Sequence, residues 1–180
     1  MTPGDALALL RAAVPAAEGE TWADLGAGGG VFTRALAALV GAAGHVYAVD
    51  SDARAVRALR AWAAEARGGP AVTVLRADVA APLPLAALDG VLLANVLHFV
   101  ADAEGALRRI AAHLRPGGRL VLVEYEGRRP GPWVPYPVSA ARFRELAPAA
   151  GLGPPEVVAV RPSAYGGEMY VATALRTGDG

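Results

Sequence analysis

The sequence predicts an α/β fold in which parallel strands are covered by helices on both faces. Three observations carry that expectation. Short apolar runs alternate with Ala- and Leu-rich segments of helical spacing from residue 21 to residue 125. The runs are continuous, without the apolar-polar alternation of a strand with one wet face, and so match strands buried on both sides. At 180 residues the chain is long enough for a single domain, 1–180, with a sizeable core.

Strands are expected at 21–25, 45–49, 72–75, 91–94 and 120–123. Between them, 31–40, 53–67 and 103–114 have good helix propensity. In the second of these, Ala55, Leu59, Trp62, Ala63 and Ala66 share one stripe, and Ser51 or Asp52 is placed to cap the first turn. Arg115-Pro-Gly-Gly-Arg119 ends the third helix and supplies a turn, because Pro116 stops a helix and glycine tolerates positive φ. Residues 126–138 hold four prolines and two glycines and read as a loop carrying Trp133 and Tyr136. A short helix is expected from about 139 to 149, closed by Gly151. Two β-type runs, 156–160 and 169–175, then form a terminal hairpin. Residues 1–20 are expected to hold an N-terminal covering helix.

Composition removes several chemistries. All 17 basic residues are arginine and there is no cysteine, so Schiff-base lysines, P-loop lysines, thiol nucleophiles and cysteine-held metals are excluded. No histidine or acid cluster has metal-ligand spacing, and no metal is expected. The 17 basic residues balance 17 acids, with 7 Arg against 9 acids in 1–90 and 10 Arg against 8 acids in 91–180. That balance gives no strong nucleic-acid signal. Apolar runs are far shorter than the roughly 20 residues of a membrane span. Asp5, Arg11 and Pro15 interrupt any signal-type core. The expectation is a soluble, cytoplasmic protein without membrane contact.

The most informative segment is Asp24-Leu-Gly-Ala-Gly-Gly-Gly30, where a strand ends, alternate glycines follow at Gly26, Gly28 and Gly30, and a helix begins. Such a turn brings backbone N–H groups close to a ligand, although tight strand-to-helix contact also calls for glycine. Asp50 ends the next strand, 20 residues beyond Gly30, where an acid can accept both hydroxyls of a ribose. The dinucleotide pattern is not met, because its third glycine would fall on Val31 in one frame and Thr33 in the other. Together these features point to a nucleoside-containing ligand other than a dinucleotide.

With an acid two residues before the first glycine, Asp24–Gly30 resembles the first motif of the class I S-adenosylmethionine-dependent methyltransferases. The likeness continues through Asp50, Arg76-Ala-Asp78-Val79, Asp89-Gly-Val-Leu-Leu-Ala-Asn-Val-Leu-His98 and Leu114-Arg-Pro-Gly-Gly-Arg-Leu-Val-Leu-Val-Glu124. It implies a Rossmann-like doubly wound sheet of seven strands, mostly parallel, with the last antiparallel beside the fifth. It also implies S-adenosyl-L-methionine as cofactor, S-adenosyl-L-homocysteine as product, and methyl transfer by in-line displacement. The cofactor would be held by Asp24, Gly26, Ala27, Gly28 and Gly30, by Asp50 and Ser51 at the ribose, by Asp78 and Val79 at the adenine, and by Asn95. Acids at Asp24, Asp50 and Asp78 suit a ligand carrying a sulfonium and an ammonium.

Two readings of His98 stand: a general base for an acceptor that must lose a proton, or a ring that packs beside the cofactor. The substrate side is expected to comprise Tyr125, Trp133, Tyr136 and Tyr165, which either stack a planar acceptor or pack under the proline-rich loop. A small-molecule acceptor is the leading expectation. A non-catalytic S-adenosylmethionine-binding protein and an RNA methyltransferase are the alternatives, with Arg54, Arg57 and Arg60 the only basic cluster. Oligomeric state is not legible.

Overall fold

The computed structural model describes residues 1–15, 19–85 and 87–178. Its strands are β1 (Thr21–Leu25), β2 (His45–Asp50), β3 (Ala71–Arg76), β4 (Leu88–Ala94), β5 (Leu114–Glu126), β6 (Glu156–Pro162) and β7 (Glu168–Leu175). Its α-helices are α1 (Pro3–Leu10), α2 (Val31–Val40), α3 (Ala53–Glu65), α4 (Ala103–Ala111) and α5 (Ala140–Ala149). Among the described residues the strands form one sheet in the order β3-β2-β1-β4-β5-β7-β6. The first five run parallel, and β7 pairs antiparallel with both β5 and β6. The doubly wound architecture and the antiparallel final strand are as the sequence resemblance implies.

Each face of the sheet carries its own core. On one side Leu25, Leu93 and Leu122 meet α4 and α5 through Leu107, Ile110 and Phe143. On the other, Trp22, Val46 and Val121 meet α1 and α2 through Leu10, Leu36 and Val40. Because successive strand residues point to opposite faces, both alternate sets must be apolar, which is why the strands read as unbroken runs. Trp22 lies flat across the neighbouring strand at Gly90, its register partner. A Cβ there would stand 2.4 Å from the indole carbons. The indole N–H donates to Glu20 Oε2 at 2.7 Å, satisfying the one polar atom of the ring.

Local chemistry starts the helices. Thr2 and Asp5 form a reciprocal capping box on α1, Asp52 accepts from Arg54 and Ala55 N–H on α3, and Ser139 caps α5. On α3 the buried residues are Val56 and Leu59, while Ala55, Trp62, Ala63 and Ala66 are only half-buried. The α1 helix lies on α2 over the sheet, and residues 16–18 of the expected N-terminal segment lie outside the described residues.

One expected turn is corrected. The α4 helix stops at Ala111, and Arg115-Pro-Gly-Gly-Arg119 is not a free connection but a bulge inside β5. Pairing with β4 jumps from Leu88↔Leu114 to Gly90↔Arg119. Gly117 at φ +75° takes up the kink, and its N–H donates to Arg176 O at 3.0 Å. Gly118 has Leu88 O and Arg115 O where a Cβ would stand, so the kink tolerates no side chain there. No described helix is long and apolar enough to cross a membrane.

Candidate active site

The carboxyl ends of β1, β2, β3 and β4 converge on a cavity of about 610 Å³. The β1–α2 turn forms its rim. Gly26, Gly28 and Gly30 all have positive φ, at +80°, +52° and +79°. Such angles suit glycine and let the chain reverse within a few atoms. Gly26 also passes directly beneath Val96, which lines the cavity.

Asp50 organises this corner. Its Oδ2 accepts from Gly28 N–H at 2.7 Å and its Oδ1 from Asp52 N–H at 2.8 Å. The carboxylate therefore ties the glycine turn to the head of α3, while each oxygen keeps a further lone pair. Helix capping falls to Asp52, leaving Asp50 free to face the cavity. Gly26, Ser51, Asp78, Val79 and Asn95 line the same space. Asp78 accepts from Ala80 N–H at 2.8 Å in a tight turn after β3.

Ala27, Gly28, Gly30 and Asp24 do not line that space. Ala27 packs on Ala48 and Leu59. Gly30 is the N-terminal cap of α2. Asp24 lies behind the turn, 1% exposed, where Thr33 Oγ1 donates to its Oδ2 at 2.6 Å. Its Oδ1 is buried without a partner among the described residues. Burial pushes this carboxyl up to about 7; the bond from Thr33 opposes the rise, and the charge of Asp50 adds to it.

That displacement has a consequence for stability. Because the folded value lies above the ordinary 3.8, the group's contribution is full below about pH 4 and is lost as pH rises through about 7. The loss falls between about pH 4 and pH 7 and amounts to a few kcal/mol. Asp24→Asn removes this dependence at the cost of an unpaired amide group, about 1–3 kcal/mol. Denaturant unfolding of the ligand-free protein should therefore show the variant gaining on the native chain between pH 5 and pH 8. A difference in stability that does not move with pH would contradict the assignment.

A second cavity of about 510 Å³ adjoins the first, and Asn95 and Phe99 line both. Asn95 follows β4 in the left-handed region at φ +57°, its N–H bound to Val123 O and its Oδ1 buried without a partner among the described residues. A strained residue with an unsatisfied oxygen at the junction of two cavities is placed for contact with a ligand.

His98, 2% exposed, sits in the 3-10 turn Leu97–Phe99 that follows. Its Nδ1 is 2.7 Å from Glu124 Oε2, and its backbone N–H donates to Glu124 Oε1 at 3.2 Å. Carboxylate oxygens only accept, so Nδ1 carries a hydrogen, and in the neutral ring the lone pair is then on Nε2. Nε2 has no hydrogen-bond partner among the described residues, and the ring lines the second cavity. Glu124, at the end of a run of buried apolar residues on β5, went unassigned in the sequence. An acid closing such a run is itself the available signal.

Tyr125, Trp133 and Tyr165 join His98 in the second cavity, with Trp133 84% and Tyr165 78% exposed at its mouth. Burial, above all, holds the Tyr125 phenol above its ordinary value, so it stays a neutral donor. Tyr136 is not part of this group. Its side chain turns toward a separate cleft with Pro135 and Pro137, while its N–H donates to His98 O at 2.9 Å. Arg128 and Phe99 line the second cavity without having been anticipated. The other histidines are tied elsewhere: His45 to Thr73 Oγ1 and His113 to Leu85 O.

Residues 23–122, more than half of the chain, match the family model described as a methyltransferase domain. Among solved structures, an arsenic(III) S-adenosylmethionine methyltransferase from Chlamydomonas reinhardtii superimposes with a TM-score of 0.77. It is 21% identical and covers 98% of this chain and 73% of its own. The 1,6-didemethyltoxoflavin-N1-methyltransferase of Burkholderia thailandensis, solved with its acceptor and S-adenosylhomocysteine bound, gives 0.73 at 27% identity, over 98% of this chain and 78% of its own. A trans-aconitate 2-methyltransferase of Azoarcus sp. is 31% identical over 161 residues, 78% of this chain and 61% of that protein. The chain spans 32%, 30% and 41% of the length of three further curated relatives. The ordered motifs, the strand order with its antiparallel β7 and the matched family model agree: the chain belongs to the class I S-adenosylmethionine-dependent methyltransferases.

Proposed function

We propose that the chain transfers a methyl group from S-adenosylmethionine to a small planar acceptor. The cofactor would occupy the acid-lined cavity, and the acceptor the aromatic one. The observation that carries this reading is the junction of the two cavities at Asn95 and Phe99. Both volumes fall within the roughly 300–1,000 Å³ of small-molecule sites.

The residues present fit the cofactor. Among the described residues the Asn95 oxygen facing the cavity has no donor, and Asp50, Asp78 and Asp102 against the single Arg109 on the cavity wall favour a cation over a pyrophosphate. Asp50 would hold the ribose hydroxyls, Asp78 and Val79 the adenine, and the glycine turn backed by Asp24 the amino-acid end. When bound, S-adenosylmethionine supplies a methyl on a sulfonium, open to in-line displacement and needing no acid for its departing thioether. What is left to the protein is positioning, together with removal of a proton where the acceptor carries one. Glu124 holds the His98 ring with Nε2 free to take that proton, and Tyr125 and Phe99 confine the acceptor.

The test is methyl transfer from isotopically labelled S-adenosylmethionine into a cell extract fractionated into small molecules, RNA and protein. The expected result is label in the small-molecule fraction, lost on substitution of His98. Label confined to RNA or protein would overturn the acceptor assignment. No transfer to any fraction, with S-adenosylhomocysteine still bound, would favour a binding protein without turnover.

A further inference from the structure

We propose that Arg128 selects the acceptor, which is a planar aromatic acid whose carboxylate is bound by this guanidinium. The inference rests on the aromatic cavity being the acceptor site.

Arg128 is a cation on the wall of a cavity otherwise built largely from aromatic rings. One Nη donates to Tyr165 O at 2.6 Å and Gly166 O at 2.8 Å, so the side chain is pinned to the turn between β6 and β7. Its Cζ stands 5.1 Å from the centroid of the Tyr125 ring. These contacts fix the guanidinium without neutralising it. No carboxylate lies within ion-pair distance of it among the described residues, since Glu124 is engaged by His98 and Glu126 by Ala140 N–H. Its Nε is buried with no partner among the described residues. With one Nη held by the two carbonyls, the other Nη remains on a fixed guanidinium in surroundings of low polarity, a charged donor that a carboxylate can meet. The aromatic walls supply faces for a planar ring. His98 lines the same cavity and serves the acceptor's own hydroxyl, so charge recognition and proton removal fall on different groups of one ligand.

The experiment compares 4-hydroxybenzoate with 4-hydroxybenzamide, two probes of one shape that differ in charge. Binding to the full chain saturated with S-adenosylhomocysteine is measured by calorimetry. The native protein should bind the carboxylate at least about tenfold more tightly than the amide, since hydrogen bonds to a charged partner are the stronger ones. Arg128→Gln should bring the ratio close to one while leaving S-adenosylhomocysteine affinity unchanged, and Arg128→Lys should restore part of the preference. Equal affinity for the two probes, no binding of the carboxylate at millimolar concentration, or a preference that survives in Arg128→Gln would each overturn the proposal. Failure of S-adenosylhomocysteine itself to bind would instead bring down the cofactor reading on which it stands.

Discussion

His98→Asn should lower turnover of an accepted hydroxyl-bearing acceptor by about 100- to 10,000-fold, the usual contribution of a positioned base. The substitution is chosen for the buried carboxylate beside it. Glu124 is 1% exposed, and stripping its partner entirely would leave a buried acceptor unmet at a cost of about 1–3 kcal/mol. An asparagine amide places a donor near the position of Nδ1, so the fold keeps its bond while the proton acceptor disappears. Affinity for S-adenosylhomocysteine should stay at the native value, because the cofactor cavity does not include the imidazole.

Glu124→Gln isolates the orienting role. A carboxylate offers two acceptors, one for the His98 backbone N–H and one for Nδ1. An amide offers one, so either a bond is lost or the ring inverts its tautomer and presents Nε2–H to the acceptor. Turnover should fall about 10- to 100-fold, within the range found for partners that orient a functional histidine, with KM and cofactor affinity near native. A proportionate rise in KM without loss of kcat would assign the pair to binding alone.

Gly26→Ala should abolish cofactor binding. The added Cβ meets Val96 Cγ2 at 2.3 Å and Cγ1 at 2.9 Å, with the backbone at φ +80°. The left-handed angle costs about 1–2 kcal/mol for an alanine and the overlap about 1–3 kcal/mol. At about 2–4 °C per kcal/mol for a chain of this size, Tm should drop by about 5–15 °C. Val96 can yield only by turning into the cavity or lifting the 3-10 turn, and either move takes space from the ligand. The double variant Gly26→Ala/Val96→Ala should regain most of the overlap cost and keep the backbone cost, which separates the two causes in a thermal melt.

The sheet was legible because burial on both faces leaves no polar alternation, and the five parallel strands emerge where apolar runs stop. The glycine turn was legible for a related reason: three positive φ angles in five residues admit few other side chains. Thr33, which broke the dinucleotide pattern, proves to be the donor for Asp24. Long-range pairs were not legible. His98 and Glu124 are 26 residues apart, and only the β4–β5 register and the reversal at Asn95 bring them together. In the proline-rich loop no period says which way a ring points, so Trp133 and Tyr136 read alike although they face different clefts. The same loop hid Arg128, whose significance depends on carbonyls in the β6–β7 turn. The bulge at 115–118 was read as a turn because Pro-Gly-Gly carries the same local signal in either setting.

The central claim is that the acid-lined cavity at the ends of β1 to β4 is an S-adenosylmethionine site. Calorimetric titration of the native chain with S-adenosylhomocysteine, beside NAD and with Gly26→Ala as control, tests it most directly. The account predicts saturable binding of S-adenosylhomocysteine at one site per chain, loss of that binding in Gly26→Ala, and no binding of NAD. Saturable binding of NAD without response to S-adenosylhomocysteine, or S-adenosylhomocysteine affinity unaltered by Gly26→Ala, would contradict it.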